Sequence, residues 1–259
     1  MSENASFARH RQDVIRAKLQ TEGRVFCLQL SQELEVSEHT IRRDLQDLAK
    51  DGVCRRVHGG AVSALPAAAD FHARLDEKRS VKELLGEAGA LLLRDGACVF
   101  MDAGTTNLAI AKALPPELAV TVVTNTPDIA AALLKHPAVE VIMLGGRLNP
   151  KTGGAHGITT LKQLQGMHFD QCVLGVCALD AGSGLTAFEY DDAEFKQAVI
   201  AQSEQVIVAL TAEKTPGAAR YQISACASMT DLVVPADMAA EKIAPFAELG
   251  IAIHRAGAA

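Results

Sequence analysis

From residue 97 onward, short apolar runs alternate with Ala/Leu-rich segments of helical spacing. The runs are ACVFMD (97–102), LAVTVVT (118–124), VEVIML (139–144), DQCVLGVC (170–177), QVIVAL (205–210) and DLVV (231–234), with a further candidate at 250–254. A strand that is apolar on both sides has to be buried on both faces, and a helix between successive strands lets them run parallel. The pattern therefore predicts an α/β domain built on a mainly parallel sheet. It begins too late to explain the first 60 or so of the 259 residues, which a chain of this length can hold as a second compact domain.

That N-terminal stretch reads as helices followed by a hairpin. Residues 7–20 place Val14, Ile15, Ala17 and Leu19 near one helical face, and Gly23 ends the helix. Val25 and Phe26 read as an extended link, and a short helix over about 28–35 carries Leu30 and Leu34. After the turn at Val36-Ser37, Ser37 is placed to cap a third helix, its hydroxyl accepting from first-turn amides. Ile41, Leu45 and Leu48 fall at i, i+4 and i+7 of that helix, so they point inward. Thr40, Arg42, Arg43 and Gln46, with His39 beside them, are left on the outer face. Long hydrogen-bonding side chains near a helix N-terminus are what a recognition helix brings to a DNA major groove.

Gly52 ends the helix, Val53 to Val57 alternates like an edge strand, and His58-Gly59-Gly60 turns the chain back. Arg55 and Arg56 on such a hairpin make a wing able to grip phosphates. Charge is divided accordingly: residues 1–60 hold 10 Lys/Arg and 9 Asp/Glu, whereas the other 199 hold 15 and 22. The acidic body argues against nucleic acid wrapping the whole surface and favours docking by the head alone. An ordinary solvated surface helix would not explain turn, capped helix and basic hairpin in this order.

This stretch resembles the DNA-binding head of the deoxyribonucleoside-repressor (DeoR) family of bacterial regulators. The family pattern V-S-x-x-T-I-R-R-D-L, then a Leu, a Gly and R-x-H-G-G-A, is matched from Val36 through Ala61. The resemblance implies a winged helix-turn-helix over 1–62, with Ser37, His39, Thr40, Arg42, Arg43, Gln46, Arg55, Arg56, His58 and Gly59 at double-stranded operator DNA. Residues 63–75 read as a linker, and 76–259 as the second domain, entered by a helical run over about 76–93.

In parallel sheets ligands sit at the carboxyl ends of strands, so the loop tips there are informative. Asp102-Ala103-Gly104-Thr105-Thr106 ends the first run and opens a helix. A Gly and two hydroxyls at a helix N-terminus suit a phosphate, and equally an ordinary helix start. Thr124-Asn125-Thr126-Pro127 ends the second run; Asn125 can hold a sugar hydroxyl or cap its helix. Gly145-Gly146-Arg147 ends the third, where glycines permit close approach and the Arg can pair with an anion. NPKTGGAHG (149–157) is a loop able to close over a ligand.

These tips resemble the sensor half of the same family, whose pattern is D-x-G-T-T, T-N, G-G, G-L-T and a Lys after a late strand. Here they are Asp102–Thr106, Thr124-Asn125, Gly145-Gly146, Gly184–Thr186 and Lys214, so the resemblance spans about residues 7 to 255. It implies a fold like that of ribose-5-phosphate isomerase and a phosphorylated sugar or polyol effector with its phosphate at Gly104–Thr106. The effector set would be Asp102, Gly104, Thr105, Thr106, Asn125, Gly145, Gly146, Arg147 and Lys214. One departure concerns the D-x-x-K around the lysine: Thr211 stands where the family has Asp. Glu189 and Asp191-Asp192 are candidates to compensate, or solvated acids at a helix start.

A sugar-phosphate isomerase carrying a DNA-binding head is the rival reading. Isomerisation needs a base near the sugar C2 proton. The isomerase's acid-rich stretch would fall near 175–180, where only Asp180 is acidic, so the chain reads as a regulator and not an enzyme. Asp102 and Lys214 are accordingly read as ligand contacts. No G-x-G-x-x-G follows a strand, and neither a Walker motif nor H-E-x-x-H occurs; neither cofactor nor metal is expected. The six cysteines form no C-x-x-C pair and read as buried small hydrophobes. No run approaches the ~18 apolar residues of a membrane span, and the polar N-terminus does not read as a signal peptide, so a cytoplasmic location is expected. One head makes few DNA contacts, so a homodimer or homotetramer on repeated half-sites is expected.

Overall fold

The computed structural model describes residues 3–65 and 70–257. In the head, α1 (Glu3–Glu22), α2 (Cys27–Glu33) and α3 (Glu38–Lys50) pack on a three-stranded antiparallel sheet of order β1 (Arg24–Phe26), β3 (Gly60–Ser63), β2 (Cys54–Val57). Ile15, Leu19, Leu30, Ile41, Leu45 and Leu48 form its core. Asp44, 4% exposed on the inner side of α3, is held by the Arg11 guanidinium, which ties α1 to α3. Val25-Phe26, expected as a plain link, is a strand. It pairs so closely with β3 that a Cβ at Gly60 would lie 1.9 Å from the Val25 carbonyl oxygen, which explains a glycine there.

The body is the expected parallel sheet. Its strands are β4 (Cys98–Met101), β5 (Val120–Thr124), β6 (Val139–Met143), β9 (Phe169–Leu174), β12 (Ser203–Ala209), β14 (Asp231–Pro235) and β15 (Ala252–Ala256). They lie in the order β15-β14-β12-β9-β4-β5-β6, every pairing parallel. Alternate residues serve opposite cores. Phe100, Val206, Val208 and Leu232 point into one, while Val99, Met101, Ile207 and Val233 point into the other. This is why the strands read as continuous apolar runs. Helices α5 (Thr105–Lys112), α6 (Pro127–Leu133), α7 (Ile158–Leu164), α8 (Tyr190–Ala201) and α9 (Ala240–Glu248), with α4 (Arg79–Ala90) leading in, accompany the sheet.

Two small sheets interrupt the alternation. β7 (Arg147–Leu148) pairs with β8 (Ala155–His156), and β10 (Ala178–Asp180), β11 (Gly184–Ala187) and β13 (Tyr221–Ser224) form an antiparallel sheet. The apolar run at 170–177 therefore holds a single strand, β9, which stops at Leu174 where Gly175 breaks the run ahead of β10. There the backbone passes so near Ala103 that a Cβ would sit 2.4 Å from its carbonyl oxygen.

The expected linker divides. Ser63 completes β3, residues 66–69 lie outside the described residues, and 70–75 are docked on the body. Phe71 is buried at 1% exposure against the backbone of Gly153, and its amide donates to the Pro150 carbonyl. The helical run expected from 76 begins at Arg79 after a series of turns. Head and body also touch directly. Arg24 pairs at 2.9 Å with Asp180, Gly23 lies against Pro216, and the Ala218 amide donates to the Ser63 carbonyl.

Glycines set the approach of α4 to α5: a Cβ on Gly86 would meet the Ala109 carbonyl oxygen at 2.7 Å, and one on Gly89 the Ile110 side chain at 2.7 Å. Gly86→Val should lose about 1–3 kcal/mol through overpacking. For a chain of this size that lowers the thermal midpoint by roughly 2–4 °C per kcal/mol. An unchanged midpoint would contradict the tight contact.

Candidate functional site

On the head, Ser37 caps α3 with its hydroxyl accepting from the Thr40 amide at 3.2 Å. Burial of Ile41, Asp44, Leu45 and Leu48 leaves His39, Arg42, Arg43 and Gln46 exposed and Thr40 half-buried. Arg42 is steered by Glu38 one turn earlier, at 2.8 Å, whereas Arg43 makes no salt bridge among the described residues. In the hairpin, Val57 pairs with Gly60 across a two-residue loop of His58 and Gly59, both exposed, with Gly59 at φ +78°. Arg56 is exposed and Arg55 is half-buried. Arg55 lies near Arg220 of the body, and burial together with that neighbour lowers its pKa. The wing residues Arg55, Arg56 and His58 line a groove of about 880 Å³ between head and body.

The body's cavity forms where the chain changes direction. From β4 the sheet grows one way through β5 and β6 and the other way through β9, β12, β14 and β15. The loops after β4 and β9 therefore diverge at their carboxyl ends and leave a crevice, the usual ligand position in such sheets. A cavity of about 100 Å³ lies there. It is lined by Ala103–Asn107 after β4, Gly175–Cys177 after β9, Ala209 and Lys214 from β12 and beyond, Asp192 and Lys196 on α8, and Lys151 and Thr152 from the β7–β8 loop.

One wall is the start of α5. Gly104 is its N-cap, Thr105 and Thr106 are buried at 7% and 6% exposure, and its first turn holds no acid. Lys214 stands nearby, its Nζ donating to the Val176 carbonyl at 2.9 Å; burial pushes its pKa down to about 8. The opposite side holds a buried charge cluster. Lys196, 3% exposed, donates to Asp192 at 2.7 Å and lies 3.4 Å from Asp102. Burial opposes a charge on Lys196, but the two carboxylates outweigh it and raise its pKa. Burial, with Asp192 nearby, pushes Asp102 up to about 6, although Lys196 and the Gly175 amide counter it. His156, 6% exposed, bonds Thr152 through Nε2 at 2.7 Å, and burial lowers its pKa, so it is neutral at pH 7.

Of the residues expected at the effector, Gly104, Thr105, Thr106 and Lys214 come together in this cavity. Asp102 does not line it but lies beneath, fully buried. Asn125 is also fully buried and holds the β7–β8 loop by donating to the Ala155 carbonyl. Gly145, Gly146 and Arg147 are set apart from it. Gly145 exchanges hydrogen bonds with the Gln163 side chain, and a Cβ on Gly146 would lie 2.2 Å from the Thr160 hydroxyl, so these glycines seat α7. Arg147 is exposed on β7. Thr211 turns away as well, bonded to Glu213 at 2.6 Å, and Glu213 pairs with Lys78. Lys196, Gly175 and Arg74, which also line the cavity, were missed by sequence reasoning, and Lys151 belongs to the 149–157 loop read as able to close over a ligand. The signal for Lys196 was available: Asp192, Lys196 and Val199 lie at i, i+4, i+7, in line with a buried face. Among the described residues no group of His, Cys, Asp and Glu could hold a metal ion.

Residues 11–66 match the model of the DeoR-like helix-turn-helix domain, and residues 77–235 match that of the DeoR C-terminal sensor domain. The chain belongs to the DeoR family of transcriptional repressors. It is 32% identical over 196 residues to the glycerol-3-phosphate regulon repressor of Escherichia coli K12, covering 74% of this chain and 77% of that one. It is 28% identical over 251 residues to a putative aga operon transcriptional repressor of Escherichia coli O157:H7, covering 95% and 93%. It is 31% identical over 208 residues to the repressor GlcR of Bacillus subtilis, covering 79% of each. Among solved structures, ribose 5-phosphate isomerase A of Methanocaldococcus jannaschii superposes with a TM-score of 0.39 at 12% identity, over 53% of this chain and 55% of that one. No helix among the described residues of this DeoR-family chain is long and apolar enough to cross a membrane.

The cluster on α8 is testable. Lys196→Met leaves the buried carboxylates of Asp102 and Asp192 without their cation, and should cost about 3–5 kcal/mol at pH 7 in urea unfolding. The deficit should shrink on acidification, as the stranded carboxylates take up protons. Equal stability of variant and parent at pH 7 would show that the cluster carries no net charge worth neutralising.

Proposed function

We propose that this DeoR-family protein represses a carbohydrate or polyol catabolic operon and responds to a phosphorylated sugar or polyol bound in the body. One observation carries the reading: the amides opening α5, two buried threonine hydroxyls and the Lys214 ammonium share one cavity at the sheet's switch point. Helix-terminal amides and the helix dipole favour an anion, and the half-buried lysine supplies a positive charge at the same cavity. The relative named for the glycerol-3-phosphate regulon agrees with a phosphorylated small molecule. On the head, Arg42, Arg43, His39 and Gln46 would enter the major groove, with Arg56, His58 and Gly59 at phosphates or the minor groove. The expected dimer or tetramer supplies the second half-site. The edge strand β6 exposes Ile142 and Met143, a surface on which a second copy can pair.

Ligand and DNA are linked through the segment after β12. Lys214 faces the cavity, and two residues later Pro216 lies against Gly23 of the head, followed by Ala218 against Ser63 and Ala64. A ligand that draws on Lys214 biases how this segment seats the head. It changes DNA affinity only by its differential affinity for the two arrangements.

Thr105→Glu puts a carboxylate at the phosphate position. It should remove the thermal shift that sugar and polyol phosphates give, while DNA binding without ligand reports that the head still folds. An unaltered dose-response would place the ligand elsewhere. The parent protein should also bind these anions best between about pH 6, where the phosphate gains its second charge, and about pH 8. Above that Lys214 loses its proton, and calorimetric affinity should fall; a flat profile to pH 9 would remove Lys214 from the phosphate.

A further inference from the structure

The far wall of the cavity carries information that a phosphate alone does not use. Asp192 is 1% exposed and lines the cavity. Its Oδ2 accepts from Lys196 at 2.7 Å, but its Oδ1 has no hydrogen-bond partner. His156 Nε2 is 3.9 Å away, too far for a hydrogen bond, and is already engaged with Thr152. A buried carboxylate oxygen without a donor is costly and uncommon. The i, i+4 bond to Lys196, itself wedged beside Asp102, keeps Asp192 from turning out to water.

Only a donor can satisfy that oxygen. A phosphate dianion, a carboxylate or a ketone oxygen would be repelled, whereas a hydroxyl would form a charge-assisted hydrogen bond. The phosphate of a phosphomonoester belongs on the opposite wall, with the α5 amides and Lys214, because on this side Asp192 is already paired with Lys196 and its free oxygen can only accept. We propose that Asp192 reads a hydroxyl on the bound ester, so that the cavity selects hydroxylated, polyol-like phosphomonoesters over alkyl phosphates of equal length. This rests on the phosphate-binding reading above and adds the rule by which ligands are told apart.

The test is calorimetric titration of the full chain with inorganic phosphate, propyl phosphate and glycerol 1-phosphate. The last two share a three-carbon skeleton and differ in hydroxyls. The parent protein should bind glycerol 1-phosphate roughly tenfold or more tightly than propyl phosphate. In Asp192→Asn and Asp192→Ala that advantage should fall to about twofold or less, with propyl phosphate bound no more weakly than by the parent. Equal affinity of the parent for the two esters would overturn the assignment even if neither variant folds. So would an advantage that survives both substitutions. Failure of all three anions to bind the parent would instead remove the phosphate wall itself, and the assignment with it.

Discussion

An ammonium with 3% exposure, held between two carboxylates that are almost completely buried, fixes the geometry of the body. Taking such ions out of water costs several kcal/mol each, and mutual attraction offsets this only when the geometry is good. Lys196 on α8 therefore has to meet Asp102 at the end of β4, and Asp192 has to stay in line with it. Asp102 in turn accepts the Gly175 amide at 2.9 Å, where a missing Cβ lets the end of β9 cross Ala103. The cluster thus locks three distant parts of the chain around one crevice, and α5 begins on its rim.

The crevice has two unlike walls. One presents amides, hydroxyls and a lysine whose pKa burial lowers to about 8; the other presents the Asp192–Lys196 pair with one carboxylate oxygen unmet. Lys151, paired with Glu189 at 2.9 Å, stands where the cavity adjoins the groove between head and body, since both residues line each of them. The head is joined to this region by Arg24 on Asp180 and by Gly23 on Pro216, not only by the connector. The cavity and the contact surface of the DNA-binding head therefore meet in the short segment from Lys214 to Ala219. The head is close to charge balance while the excess of acid lies on the body, which keeps the DNA-facing positive charge local to the recognition helix and wing.

The parallel sheet was legible because its strands are buried on both faces and read as plain apolar runs. α3 was legible because Ile41, Leu45 and Leu48 leave the arginines nowhere to go but outward. The small sheet of β10, β11 and β13 was not, since its strands are three or four residues long and β11 pairs with β13 across more than 30 residues of chain. Gly145-Gly146 has the same local look as Gly104, yet it makes room for α7, and only tertiary packing separates the two uses. Asp191-Asp192 could be read either as effector contacts or as solvated acids, and Lys196 was not singled out although it shares one face of α8 with Asp192 and Val199; which face is buried depends on where α8 lands on the sheet.

The most direct measurement is hydrogen exchange of the full chain with and without the phosphomonoester that most raises its thermal midpoint. Slowed exchange is expected at the amides of Thr105, Thr106 and Asn107, together with a change at Gly217–Ala219, where the body meets the head. Protection confined to other parts of the chain, or none with any such compound, would contradict that expectation.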